Sequence, residues 1–165
     1  MTEESAATDG DVLVFNSPLE TGSRSVIILT ASFPEALTLD ELVALDHLIV
    51  HTEDIGGPPS LHPPEETRAA ELLVRRNVVE GGLRFMGLKG LVTRRATPTG
   101  FRYHAGMDAG NFVDLLSSAY SRSLIERAAW LAETVVKNDA INLDDIVSNR
   151  LAAILVSDPQ DDWSE

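Results

Sequence analysis

The chain has 165 residues, of which 44% are hydrophobic and 24% charged, and it contains no cysteine. This length and composition predict one folded domain with a sizeable core rather than a disordered chain. The lack of cysteine excludes disulfides and thiolate chemistry. No apolar run reaches the length of a bilayer-spanning helix, and the start lacks a basic leader region, so we expect a cytoplasmic protein with no membrane partner.

Charge is distributed unevenly along the chain. Thirteen basic residues against 26 acidic ones give a formal net charge of −13. Residues 68–102 nevertheless hold eight basic residues and two acidic ones, a net charge of +6, while the rest of the chain carries −19. This asymmetry indicates either one basic face that binds a partner, or a basic element that docks on an acidic one within the same fold.

Two capping patterns predict the first helices. Ser17-Pro18-Leu19-Glu20 combines a side-chain cap with a proline at the first helical position, and Pro34 predicts where that helix ends. Thr38-Leu39-Asp40-Glu41 predicts a second capping box, followed by a helix to about His51.

A loop rich in proline and glycine follows. Four prolines and two glycines within residues 53–64 exclude a regular helix and predict a long ordered loop or a partner-binding segment. We then expect a third helix over about 64–75 and a fourth that begins near Asn77. Gly81 and Gly82 weaken that fourth helix and indicate close packing or a kink.

The pattern changes after Gly90. Leu91-Val92-Thr93 and Phe101-Arg102-Tyr103 predict two short strands joined by a turn at 97–100. Three helices followed by a basic hairpin is the order of a winged helix-turn-helix. Helical spacing then predicts a helix around Phe112, a helix with a coiled-coil-like stripe, and a last helix over about 142–156. The stripe consists of Tyr120, Leu124, Ala128, Leu131 and Val135.

These elements predict a mainly α-helical fold with a small β-hairpin, namely a winged-helix-turn-helix-like domain followed by C-terminal helices. The expected boundaries are a flexible acidic tail at 1–14, the winged-helix-like domain at 15–106, a helical extension at 107–156 and an acidic tail at 157–165. Both tails combine acidic and small residues and lack a repeating apolar face.

Catalytic motifs are missing from the sequence. It has no Walker loop, no G-x-S-x-G elbow, no H-E-x-x-H pair and no dinucleotide fingerprint, so we expect neither enzymatic activity nor a cofactor. Asp46, His47, His51, Asp54 and His62 are residue types that hold zinc or another divalent ion. A histidine at a helix end and an aspartate before two glycines also have ordinary structural roles, and on that ground we expect no metal site.

The basic segment supplies candidate contacts to DNA. Arg75 and Arg76, near a predicted helix end, also complement the helix dipole. Arg94, Arg95 and Arg102 on the predicted hairpin have no such local role and suit phosphate or minor-groove contacts. The acidic groove of a protein partner would be bound by the same arginines. The candidate DNA-binding residues are Arg75, Arg76, Arg84, Lys89, Arg94, Arg95 and Arg102.

Five segments between about Phe15 and Val136 together resemble the middle component of bacterial ABC-three-component (ABC-3C) conflict systems. They are FNSPLE (15–20), DIGGPPSLHP (54–63), ELLVRR (71–76), GFRY (100–103) and ERAAW (126–130). The GGPPSLHP part of the loop is the most distinctive of them. The resemblance implies a non-enzymatic winged-helix adaptor that joins an SMC- or Rad50-like ABC ATPase to a third, effector component in an anti-phage defence complex.

The resemblance also implies how the adaptor binds. We expect protein contacts through the loop, contact with duplex DNA or the ATPase through the wing, and a homodimer by similarity to accessory subunits of SMC-type machines. The predicted partner-binding residues are Asp54, Ile55, Gly56, Gly57, Pro58, Pro59, Leu61 and His62. Tyr120 and Trp130 are further candidate anchors, although their place near the apolar stripe favours core packing. The alternative is a free-standing winged-helix transcription regulator that binds DNA.

Overall fold

The computed structural model describes residues 17–64, 69–138, 142–146 and 148–149, with side chains of the helix that begins at Ala69 described from residue 73 onward. The predicted tails at 1–14 and 157–165 and the end of the predicted last helix lie outside these residues. Within the described ranges, no helix combines the length and the apolar character needed to cross a membrane.

Both predicted capping patterns are confirmed. Helix α1 (Pro18–Ser32) begins where the Ser17 hydroxyl accepts a hydrogen bond from the Glu20 backbone N–H at 3.2 Å, and it ends before Pro34. Helix α2 (Leu39–Leu48) carries the full capping box. The Glu41 N–H donates to Thr38 Oγ1, and the Thr38 N–H donates to Glu41 Oε2, both at 3.2 Å.

Helix α2 ends three residues before the predicted His51. Its last turn tightens, because the N–H of Val50 bonds to the His47 carbonyl and the N–H of His51 to that of Leu48, the three-residue spacing of a 3₁₀ turn. A short 3₁₀ helix, Thr52–Ile55, follows and leads into the loop.

The prediction of separate third and fourth helices is wrong. One continuous helix, α3 (Ala69–Leu88), runs through the position where the break between them was expected. Asn77 is a weak helix former, but the chain has neither proline nor glycine between Arg75 and Val79, so nothing there stops propagation. Gly90, with φ of +74°, follows the end of the helix as predicted.

The close packing predicted at the paired glycines is confirmed for Gly82. A Cβ atom on Gly82 would lie 2.6 Å from the Pro18 carbonyl oxygen and 2.7 Å from the Gly22 backbone nitrogen. Only glycine at both positions lets α1 and α3 approach this closely. Gly81 lies about 100° further round the helix and has no described atom within 4 Å of its Cβ position.

The predicted hairpin is confirmed and is longer than expected. Strands β1 (Val92–Thr97) and β2 (Gly100–Ala105) pair antiparallel, with Thr97 opposite Gly100 at the turn. Leu37, between α1 and α2, forms an isolated bridge with Tyr103 through backbone hydrogen bonds of 2.7 and 2.8 Å. The hairpin is thereby fixed to the helical body.

The remaining elements close the core around α1. They are α4 (Ala109–Asp114), α5 (Ala119–Leu131) and a π-helical turn, Ala132–Val136. Leu124, Ala128 and Leu131 of α5 are buried and belong to the same hydrophobic cluster as Val26 and Leu29 of α1. The predicted helical stripe is therefore core, and the described chain is mainly helical with one two-stranded hairpin.

Candidate functional site

The predicted partner-binding loop is fastened to its own domain. Thr52 Oγ1 donates to the Pro58 carbonyl at 2.6 Å, and the Glu53 N–H donates to Ser60 Oγ at 3.1 Å. Gly56 follows the 3₁₀ helix in the left-handed conformation, with φ of +75°, which glycine adopts without strain. The loop therefore has a defined shape set by its own hydrogen bonds.

Helix α5 holds the other side of this loop. A Cβ atom on Gly57 would lie 2.6 Å from the Trp130 ring, so the indole occupies the space that the glycine leaves. Arg127 donates to the Pro59 carbonyl at 2.8 Å, and His62 Nε2 lies 2.8 Å from the Tyr120 hydroxyl. Tyr120 and Trp130 are partly buried against the core, as the core-packing interpretation of these two aromatics requires.

The loop thus has an inner and an outer side. Gly57 and His62 face α5, while Ile55 and Leu61 are half-buried against the core. Of the eight predicted partner-binding residues, Asp54, Gly56 and Pro59 are exposed and form what we call the outer side, and the other five are half-buried. Partner binding by this loop stays a prediction.

Three of the four histidines, His47, His51 and His62, form a row of rings beneath the loop. Ring centroids are 4.3 Å apart for His47 and His51, 6.1 Å for His51 and His62, and 6.0 Å for His62 and Tyr120. Asp54 Oδ2 lies 3.0 Å from His47 Nε2 at the end of the row. Four of the five residues weighed as metal ligands are thus neighbours, but the described residues contain no group of three or more His, Cys, Asp or Glu side chains placed to hold a metal ion.

Asp46, the fifth of those residues, belongs instead to a buried ion cluster that the sequence did not predict. Arg24 Nε donates to Asp46 Oδ1 at 2.7 Å, and Arg75 Nη1 donates to Asp46 Oδ2 at 3.4 Å. Burial opposes the charge of Arg24, but the Asp46 carboxylate outweighs it and raises the pKa of the guanidinium. The only sequence signal is that Arg24 shares a face of α1 with the buried residues Thr21 and Ile28.

Burial also acts on Tyr120, next to the histidine row. Desolvation raises the pKa of its phenol, while the nearby Arg24 guanidinium opposes that rise. Tyr120 is therefore held neutral, and its hydroxyl serves as a hydrogen-bond partner of His62.

Some of the candidate DNA-binding residues are occupied within the fold. Arg75 contacts Asp46, and Arg76 Nη1 lies 2.9 Å from Asp40 Oδ1 on α2. Arg102 donates to the Ala36 carbonyl at 3.4 Å. The charge distribution left two interpretations open, a partner-binding face or a basic element docked on an acidic one. The second holds for Arg75 and Arg76, which pair with aspartates of α2.

The other candidates, Arg84, Lys89, Arg94 and Arg95, are all exposed, and we call the surface around them the basic hairpin face. Arg94 and Arg95 are consecutive residues of β1, so their side chains leave opposite sides of the hairpin. The Arg94 guanidinium lies over the Phe101 ring, 4.1 Å from its centroid, and Lys89 Nζ lies 5.6 Å from the centroid of the Phe85 ring. None of the four forms an ion pair with a described residue. A groove of about 610 Å³ separates α3 from β1, with Arg84 and Arg94 among its lining residues.

The described residues thus form a small, mainly helical domain with an exposed basic hairpin and a folded-back loop. A family model described as "ABC-three component (ABC-3C) system Middle Component 2" matches residues 14–156. The chain belongs to this family, which confirms the resemblance seen in the sequence. Among the curated proteins and the solved structures compared with the chain, none gives a significant match.

Proposed function

We propose that this protein is a non-enzymatic adaptor that joins the ABC ATPase of its system to the third, effector component. The observation that carries the proposal is membership of the middle-component family over residues 14–156. An adaptor acts through the surfaces that contact its partners. The next question is therefore which surfaces of this protein are exposed and able to bind another component.

The basic hairpin face is the first of these surfaces. Its four cations are exposed and have no ion-pair partner in the described fold, and Arg94 is held on an aromatic ring. A cation without a local counter-charge binds carboxylates or phosphates of a partner at a smaller desolvation cost than one that must first leave an ion pair. The hairpin face suits an acidic surface of the ATPase or the DNA that the ATPase holds.

The arrangement of elements supports a winged-helix interpretation of this face. The order α1, α2, α3, hairpin matches a winged helix-turn-helix, and the Leu37–Tyr103 bridge adds a short third strand position between α1 and α2. In that interpretation β1 and β2 form the wing. The outer side of the loop, with Asp54, Gly56 and Pro59, is the second proposed contact surface.

A tagged pull-down tests the proposal. The protein is expressed together with the components encoded beside it, purified through a tag after DNase treatment, and its companions are identified by mass spectrometry. We expect the ABC ATPase to be recovered and to survive DNase. Recovery of the tagged protein alone would refute the adaptor function, and recovery that DNase abolishes would replace direct contact with an association through DNA.

A matched pair of charge reversals locates the contact. Arg94→Glu alters the basic hairpin face, whereas Arg122→Glu makes the same change at an exposed position on α5. We expect Arg94→Glu to lower recovery of the ATPase and Arg122→Glu to leave it unchanged. Equal recovery with both variants would remove the hairpin face from the interface.

A further inference from the structure

Helix α3 carries an apolar stripe on the side that faces away from the core. Its residues recur at intervals of four, three, four and three, the spacing of a helix-docking seam. We call this stripe the α3 seam; it consists of Val74, Val78, Gly81, Phe85 and Leu88. Val74, Phe85 and Leu88 are 62%, 41% and 82% exposed, although side chains of this size are usually at least partly covered.

Gly81 lies in the middle of the seam and has no described atom within 4 Å of its Cβ position. A glycine inside a helix is unfavourable relative to alanine, and packing within this fold does not require one at this position. The adjacent Gly82, by contrast, is required by the crossing with α1. A glycine in an open apolar seam suits the close approach of another backbone.

The charge around the seam indicates what kind of helix fits. Lys89 lies over the Phe85 ring within the seam, and Arg84 and Arg94 line the groove beside Leu88, the last residue of the seam. Among the described side chains that line this groove, Glu80 is the acidic one. An incoming helix with carboxylates beside its apolar stripe would complement this field.

A second copy of the chain complements it less well. Packing one seam on another would bring the Arg84 and Lys89 side chains of two copies toward a common interface. The two bodies would in addition carry a net charge of −13 each. Both effects oppose self-association, because like charges at an interface and on the whole particle repel.

We propose that the α3 seam binds an amphipathic helix of a partner protein whose apolar stripe is flanked by Asp and Glu. Fourteen residue steps from Val74 to Leu88 give a seam of about 21 Å, which a partner helix of about four turns covers. The proposal rests on the proposed adaptor function, because it places the helix in another component of the same system.

Two pairs of variants test the seam in the full-length protein, co-expressed with its neighbouring components. Leu88→Glu places a carboxylate in the seam, and Leu115→Glu makes the same change at a leucine that is 81% exposed but lies outside the seam. We expect Leu88→Glu to lower partner recovery at least about tenfold, as replacement of an interface anchor does, and Leu115→Glu to leave it within about twofold. Equal effects of the two variants would overturn the proposal.

Gly81→Ala separates docking from folding. The new methyl group meets nothing within the described fold and improves helix propensity, so the isolated protein should melt about 2–4 °C higher. The same methyl group blocks the close approach of a partner backbone, so partner recovery should fall. A variant that melts higher and binds as well as the wild type would refute the role given to Gly81.

Photocrosslinking identifies the occupant. Leu88 is replaced by p-benzoylphenylalanine, and the crosslinked peptide is sequenced from the purified complex. A peptide from another component, with apolar residues at three- and four-residue spacing and acidic flanks, supports the proposal. A crosslink between two copies of this chain, or to its own residues 150–165, overturns it. If the ATPase is absent from the purified complex the adaptor function fails, whereas a complete complex crosslinked elsewhere refutes the seam alone.

Discussion

The close contact between Gly22 and Gly82 allows the effect of a Gly82→Ala substitution on the free energy of unfolding to be predicted. Replacing Gly82 by alanine places a methyl carbon 2.6 Å from the Pro18 carbonyl oxygen and 2.9 Å from the Gly22 Cα. These are backbone atoms, which cannot rotate away as the end of a side chain can. The two helices must separate, and the buried contacts of Leu83 and Met86 are loosened with them.

The magnitude follows from two opposing effects. Overpacking of a tight contact costs about 1–3 kcal/mol, and three backbone atoms closer than 3.0 Å favour the upper end of that range. Replacing a helical glycine by alanine returns up to about 1 kcal/mol. We expect Gly82→Ala to lower the free energy of unfolding by about 2 kcal/mol, which for a chain of this length lowers Tm by about 4–8 °C.

Gly81→Ala is the matched control, one residue away in the same helix. It has the same gain in helix propensity and no steric conflict, so its Tm should rise by about 2–4 °C. Thermal and urea unfolding, both followed by far-ultraviolet circular dichroism, measure the two variants side by side. Shifts of the same sign in both variants would show that the helix crossing does not depend on a glycine at position 82.

Three further predictions concern the buried polar groups and the loop. Asp46→Ala leaves the Arg24 guanidinium buried without its carboxylate and should lower the free energy of unfolding by about 3–5 kcal/mol in urea titrations; a loss below about 1 kcal/mol would contradict the cluster's role. Gly57→Ala should displace the Trp130 ring and change the intrinsic tryptophan fluorescence of the folded protein, and an unchanged spectrum would contradict that contact. Burial raises the pKa of Glu41, so the folded state binds the Glu41 proton more tightly than the unfolded state does. The free energy of unfolding therefore falls as pH rises from the ordinary glutamate pKa through the raised one. Urea unfolding across that pH range should show Glu41→Gln gaining stability relative to the wild type, and a constant difference would contradict the shift.

Short sequence motifs correctly predicted the helix starts, one helix end and the hairpin turn. The caps at Ser17 and Thr38, the helix stop at Gly90 and the hairpin turn each depend on residues close together in sequence. The helix break expected before Asn77 does not exist, because only the weak helix propensity of Asn77 favoured it and no proline or glycine stops the helix there.

The candidate surfaces depended on contacts between distant residues, which the sequence pattern could not supply. Nothing near Gly57 in the chain indicates that the Trp130 ring fills the space beside it. Asp46 pairs with Arg24 between two helices and also accepts from Arg75, which withdraws Arg75 from the basic surface. The charge asymmetry was visible in the sequence, but the structure was needed to separate the occupied arginines from the exposed ones.

Reconstitution from purified parts shows most directly whether this chain links two other components. The ABC ATPase and the third component are purified separately and mixed with and without this protein, and the masses of the assemblies are measured by light scattering after size-exclusion chromatography. We predict an assembly that contains both components only when this protein is present. Association of the two components in its absence, with no change of mass when it is added, would show that this chain is not the link.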